Sequence, residues 1–260
     1  MYFCDTLTNI LSMIRFLRFA FVLFVIPMTL WAQTDPLEVT IGATTQYVCA
    51  GDSVTLYVAV DASASTNIVV PPVAVGDVLC TDNSIVKISA WPVPGKAAMG
   101  IVFYVDNTGL HGWAVHLQDQ SQGIAWCTAY NPYIDVAALA NVTTLQGAIN
   151  DLNGFANTQK IRNAGTATTF PAAYAVEFSQ GWYIPSMGQL NVLYAEYPKV
   201  DEALLTVGGT HLFPFNNDFC EYWSSSEYSD YGVWCLARMG YVRVDGKLSA
   251  VMCLRSIRNF

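Results

Sequence analysis

Three clusters combine flat aromatic rings with hydroxyl, carboxylate or guanidinium groups. They are GWYIPS at 181–186, YWSSSE at 222–227 with Trp234 shortly after, and RSIRNF at 255–260. A sugar ring offers an apolar CH face and an edge of hydroxyls. A pocket for it needs rings to stack on and fixed donors and acceptors beside them. This reading brings Trp182, Tyr183, Trp223, Ser225, Glu227 and Trp234 to one groove. The competing reading places the same indoles in the core, makes Ser186 a helix cap and turns the Ser run into a strand edge. Arg255 and Arg258 are expected to lock the last strand to carboxylates of the body.

Catalytic templates do not occur. The chain carries no G-x-S-x-G elbow, no H-E-x-x-H, no G-x-x-x-x-G-K phosphate loop and no C-x-x-C pair. His111 and His116 lie five apart, which puts them on opposite faces of an extended strand, so they cannot share a metal. His211 stands apart from both. Asn216, Asn217 and Asp218 offer oxygen atoms in a loop, too little for a calcium site. The expectation is a protein with no catalytic residues, no cofactor and no metal.

Of the seven Cys, Cys4 precedes the apolar N-terminal stretch, leaving Cys49, Cys80, Cys127, Cys220, Cys235 and Cys253. An even set fits disulfides formed in an oxidising compartment, and spacing does not choose among the pairings. Free, buried thiols are the alternative.

Several elements must position these groups. Aliphatic residues alternate through Val54–Val60 in a strand pattern after a turn at 50–52, and residues 61–67 with Pro71 and Pro72 read as a linker. Gly100–Val105, the turn Asp106–Gly109 and Trp113–Leu117 make a hairpin. The Asn-rich stretch Thr143–Ala164 sets Leu145, Ile149 and Leu152 at helical spacing, and Pro171–Phe178 reads as a short helix. Ser186 and Gln189 form a capping box ahead of the apolar stripe Leu190, Leu193, Tyr194 and Tyr197, a helix that Pro198 ends. Val233–Arg238, Tyr241–Asp245 and Ala250–Arg258 are strand candidates with turns at Met239-Gly240 and Gly246. Strands at both ends with helices between them describe an α+β domain.

Arg15 and Arg18 precede a 14-residue, mostly apolar stretch, Phe19–Ala32. It is short of the ~20 residues a membrane-spanning helix needs and ends on a small residue, as a cleaved signal peptide does. Beyond residue 32 there are 10 basic and 19 acidic side chains, a net charge of −9, so nucleic acid is excluded as a partner. Only 12% of the chain is charged and 53% is hydrophobic, enough for one large core.

The motifs GIVFYVDNTGLHGWAVHLQD (100–119), LNGFANTQKI (152–161), GWYIPSMGQL (181–190), YWSSSE (222–227) and CLRSIRNF (253–260) occur in that order. Together they resemble secreted Bacteroidetes proteins that carry the Fibrobacter succinogenes major paralogous type of domain. That domain is similar to the C-terminal domain of the Legionella collagen-like adhesin. The resemblance runs from about Val75 to Phe260. It implies a C-type-lectin-like fold, which the formylglycine-generating enzymes share, and polysaccharide binding at a cell surface, often by a trimer. Gln189 stands where the family usually has Glu, the acidic balance argues against a polyanionic ligand, and the calcium-binding E-P-N and Q-P-D triplets do not occur.

The expected organisation is a signal peptide at 1–32, a short β-rich, truncated immunoglobulin-like segment and linker at 33–74, and a C-type-lectin-like α+β domain at 75–260. The domain is expected to have two or three helices and antiparallel strands. The expected function is a secreted or cell-surface, non-catalytic module for a glycan or a cell-surface protein, with homo-oligomers possible. Its groove holds the six residues named first, while Ser186, Gln189, Arg255 and Arg258 are structural. Two alternatives stand beside it. One is a structural subunit of a surface appendage, with the strands of 36–72 pairing onto a neighbour. The other is an enzyme on the formylglycine-generating scaffold, which requires exposed Cys of lowered pKa.

Overall fold

A computed structural model describes residues 39–43, 56–60, 72–129, 134–213 and 220–260. Residues 1–32, read above as a signal peptide, Cys4 among them, lie outside the described residues, as do Cys49, the turn expected at 50–52, the linker expected at 61–67 and Asn216–Asp218. The chain divides into two units between Val70 and Pro71. In the first unit the alternating aliphatic run forms β2 (Leu56–Val60), which pairs antiparallel with β1 (Val39–Ala43), Val39 facing Val60 and Ala43 facing Leu56.

The second unit is α+β with two antiparallel sheets. The larger combines β3 (Val78–Cys80), β4 (Ile85–Val86), β5 (Ala98–Val105), β6 (Gly112–His116), β7 (Trp182–Tyr183) and β11 (Ile257–Asn259), in the order β4-β3-β5-β6-β11-β7. The smaller orders β10 (Val242–Gly246), β9 (Gly232–Leu236) and β8 (Tyr222–Glu227) side by side. The β5–β6 hairpin forms where turn chemistry places it. Asp106 Oδ1 accepts from the backbone N–H of Thr108 at 3.0 Å, and Gly109 takes the left-handed φ of +73° that closes the turn.

Among the described residues five α-helices connect the strands: α1 (Leu145–Asn150), α2 (Gly154–Ala164), α3 (Pro171–Ala175), α4 (Met187–Ala195) and α5 (Tyr197–Thr206). The 143–164 stretch is two helices, not one. Asp151 has an extended backbone and interrupts the run, and its Oδ1 accepts from Asn153 N–H at 3.0 Å. Leu145 and Leu152 are exposed, and Ala148 is the contact that α1 buries. Pro198 does more than end α4. It sits in the first turn of α5, where a missing N–H breaks no helical bond, so a second helix follows with one residue between. The 250–258 segment is a strand only at its end. Upstream it makes isolated bridges, Leu254 to Ser121 and Cys253 to Tyr222.

Two apolar cores result. One lies between the larger sheet and helices α4 and α5, with Ile101, Phe103, Val115, Leu190, Leu204 and Ile257 buried in it. The other joins Trp126, Ile161, Phe170, Trp223, Val233 and Cys235. Burying one such indole removes roughly 150–250 Å² from water, about 4–6 kcal/mol of transfer free energy.

Of the disulfide candidates, Cys220 and Cys253 are joined. Cys80, Cys127 and Cys235 are instead buried free thiols. Their sulfurs face separate backbone groups. Cys80 Sγ lies 3.9 Å from Val78 O, Cys127 Sγ accepts from Ala129 N–H at 3.4 Å, and Cys235 Sγ donates to Arg243 O at 3.5 Å. Among the described residues no helix is long and apolar enough to cross a membrane.

Candidate functional site

The aromatic groove expected from the sequence does not form. Trp182, Trp223 and Trp234 retain only 2%, 0% and 7% of their surface, and Tyr183 is buried as well. The indole N–H groups of Trp223 and Trp234 are used internally, donating to Ile124 O at 2.7 Å and Val142 O at 2.6 Å. Trp182 packs edge-on to His116 from β7, and Tyr183 O–H donates to Asn259 Oδ1 at 2.6 Å. With a low charge content the fold fills its interior with aromatics, and none of these four rings is left to stack on a ligand.

Ser225 and Glu227 go elsewhere, to the floor of a cleft of about 410 Å³. The floor is β8, and α1 and α2 with the junction between them form one wall. Leu139, Ala140 and Val142 line the apolar side. Asn150, Asn153, Asn157 and Lys160 add carboxamides and an ammonium, with Asn150, Asn153 and Lys160 exposed at the mouth.

Asp151 organises this cleft. Its Oδ2 accepts from Ser226 Oγ at 2.6 Å and Asn157 Nδ2 at 2.9 Å, and its Oδ1 accepts from Asn153 Nδ2 at 3.1 Å. Its carbonyl accepts from Ser186 Oγ at 2.6 Å and Gly188 N–H at 3.0 Å. The wall is thereby tied to the capping box of α4, in which Gln189 Oε1 accepts from Ser186 N–H at 3.0 Å. Gln189 also donates through Nε2 to Tyr183 O–H at 3.2 Å. This junction requires glycine at 188, because a Cβ there would lie 2.4 Å from Ile149 O and 2.5 Å from Asp151 O.

The Ser run is fully buried, and two of its hydroxyls explain how. Ser224 Oγ donates to Trp234 O at 2.6 Å, and Ser226 Oγ accepts from Met187 N–H at 2.9 Å while donating to Asp151. Ser225 Oγ has no protein partner. Glu227 is divided between its two oxygens. Oε1 accepts from Val136 N–H at 3.2 Å and pairs with Lys247 Nζ, which also donates to Ile134 O at 2.7 Å and lies over the Trp126 ring. Oε2 is buried without a partner. Burial pushes the Glu227 carboxyl above its ordinary value, and the hydrogen bond and charge of Lys247 pull the other way.

The two arginines read as locks behave differently. Arg255 is completely buried, and its Nε donates to Asp119 Oδ1 at 2.6 Å, with further bonds to His116 O at 3.0 Å and His211 O at 2.9 Å. Among the described residues Arg258 reaches no carboxylate. It donates to Asn83 Oδ1 at 2.7 Å and approaches Met99 Sδ at 3.8 Å. Asp119 also lies close to Cys220 and Cys253, but a disulfide between those sulfurs leaves no thiolate for a metal. His211 faces Asp201, with Nδ1 and Oδ2 at 2.8 Å. Burial pushes the thiols of Cys80, Cys127 and Cys235 up, the last to about 12, the opposite of what nucleophilic Cys chemistry requires.

Sequence reasoning missed Asp151, Asn157, Lys160 and Lys247. The Asn-rich composition of 143–164 was the available signal, since carboxamides concentrated on short helices must serve caps, turns or ligands.

No protein-family model matches the chain, and neither does any curated protein. Among solved structures it is similar to a fimbrial protein from Bacteroides ovatus, with a TM-score of 0.52 and 18% identity. The likeness is one of fold. It covers 72% of this chain and 48% of that one, so the chain corresponds to about half of the fimbrial protein's length.

Proposed function

We propose that this chain is a non-catalytic subunit of a bacterial surface appendage, exported by the segment ending near Ala32 and displayed at the outer-membrane surface or released. The observation that carries the reading is the shared fold with a fimbrial protein over 72% of the chain. The C-type-lectin-like assignment of 75–260 belongs to the same proposal, supported by its α+β architecture with antiparallel sheets.

Assembly through the first unit is part of this reading. The β1–β2 sheet has two strands, so among the described residues each strand has one edge without a ladder partner. Such edges accept a strand from another molecule, and an isolated two-stranded hairpin is barely stable by itself. A second copy of this chain supplies the missing strand. Buried thiols with raised pKa weigh against an enzyme on the formylglycine-generating scaffold.

Light scattering coupled to size exclusion tests the proposal on residues 33–260 and 73–260. The longer chain is expected to run as an oligomer whose mass rises with concentration, and the shorter as a monomer. Two monomers at every concentration would remove the assembly role.

A further inference from the structure

Glu227 and Lys247 meet where water reaches neither. Their side chains retain 0% and 1% of their surface, and the Trp126 ring lies over Nζ, 5.1 Å from its centroid. Taking two charges out of water is expensive, and a buried pair repays it only when the remaining lone pairs also find partners. Here one carboxylate oxygen does not. Oε1 accepts from Val136 N–H at 3.2 Å as well as from Lys247, while Oε2 is buried and unpartnered. Burial pushes the Glu227 carboxyl toward its uncharged form, against the pull of Lys247.

We infer that Glu227 and Lys247 condense into an intramolecular isopeptide bond, a covalent link from β8 to the residue that follows β10. Nζ passes a proton to the carboxyl and places its lone pair on Cδ, and the Cδ–Oε2 bond breaks with its electrons on Oε2. Two of the three ammonium protons leave with Oε2 as water, and the third stays on the amide nitrogen. Ion pair and product both carry zero net charge, and no oxidant, reductant or further reactant takes part. The product leaves no atom of the pair stranded. Oε1 becomes the amide carbonyl and keeps its bond from Val136 N–H, while the amide N–H donates to Ile134 O, 2.7 Å from Nζ. The oxygen without a partner is the one that departs. Val136 N–H also supports the negative charge that develops on Oε1 during attack. Glu227 borders the cleft of about 410 Å³, which gives the released water an exit. Free carboxylate and ammonium ions in water stay apart because hydration favours the ions. A pair held face to face has lost that hydration and gains an effective concentration of about 10⁵–10⁸ M. In the smaller sheet β9 separates β8 from β10, so the bond ties together two strands that are not neighbours. It forms within one chain, and its presence is independent of whether copies assemble.

The test is a peptide map of the wild-type protein, kept folded until its mass is constant, then reduced, alkylated, unfolded and digested with trypsin. The intact reduced protein is expected to be lighter than its sequence requires by one water. Trypsin does not cut after an acylated lysine. Residues 244–255 are therefore expected as one fragment, joined to residues 200–238, with tandem fragmentation placing the branch at Lys247 and Glu227. Glu227→Gln with Lys247→Met, which removes the amine and both charges together, is expected at full mass without the branch. Should that variant not fold, the wild-type map decides alone. A wild-type protein of full mass that trypsin cuts after Lys247 overturns the bond. So does a water loss confined to an unbranched 244–255 fragment, which would be cyclisation at Asp245-Gly246.

Discussion

Replacing Arg255 with Met is the most demanding test of how the second unit is held together. Arg255 and Asp119 have side-chain exposures of 0% and 3% and are 2.6 Å apart, so neither charge has water to fall back on. The guanidinium also satisfies the carbonyls of His116, Thr210 and His211, gathering the end of β6 and a loop around the segment that precedes β11. Methionine keeps much of the volume but leaves the Asp119 carboxylate buried with neutral donors only, Tyr222 O–H at 2.9 Å and the Gln122 side chain. Removing one partner of a buried pair costs about 3–5 kcal/mol. For a unit of this size that is a drop of about 6–20 °C in Tm. Burial already pushes the Asp119 carboxyl above its ordinary value against the pull of Arg255, and losing the guanidinium pushes it further. A carboxyl whose folded pKa exceeds its unfolded value is comfortable when protonated, below the unfolded pKa. It destabilises increasingly as pH rises through the folded value. The gap between variant and wild type is therefore expected to be smaller at pH 4 than at pH 7, and Asp119→Asn added to Arg255→Met is expected to recover part of it. Every Trp beyond residue 32 lies in the second unit, so urea titration followed by indole fluorescence reads that unit alone. A loss under about 1 kcal/mol, or one equal at both pH values, would refute the argument.

Four further outcomes follow from the same geometry. Trp223→Ala is expected to lower stability by about 3–5 kcal/mol in the same titration, because the indole is core; a variant as stable as wild type would contradict its burial. Gly188→Ala is expected to cost about 1–3 kcal/mol and to disturb the cleft, since the new methyl would meet two carbonyl oxygens; resonance shifts confined to residue 188 in an NMR spectrum would argue otherwise. Reducing the Cys220–Cys253 bond, which closes a span of 33 residues, is expected to lower the urea stability by about 3–4 kcal/mol. In the unreduced native protein, Cys80, Cys127 and Cys235 are expected to resist iodoacetamide and to react once urea is added; prompt native labelling of Cys235 would contradict its burial.

Local signals in the chain were legible where they were short-range. The Asp106–Gly109 turn placed the β5–β6 hairpin, and Ser186 with Gln189 marked the start of α4, because each depends on side chains bonding to backbone within a few residues. Helical spacing misled at 145–152, where Asp151 bonds outward to Ser226 and Asn157 in preference to continuing the helix. The site failed for a different reason. YWSSSE reads equally as a surface and as a buried strand, since its hydroxyls find partners on residues 39 positions back, at Met187, and 10 ahead, at Trp234. No local pattern encodes such pairings. The Trp residues carried the same ambiguity, and the need to fill two cores decided it.

In the larger sheet β11 is inserted between β6 and β7, strands that lie far earlier in the chain. Synthesis and folding are thereby separated in time. Until residues 257–259 are available, β7 has no neighbour and the sheet is in two parts, so the unit cannot condense piecemeal as it emerges. Such non-local closure makes folding slow. The larger sheet of this topology is therefore complete only once the segment 257–259 has slotted between two strands already laid down.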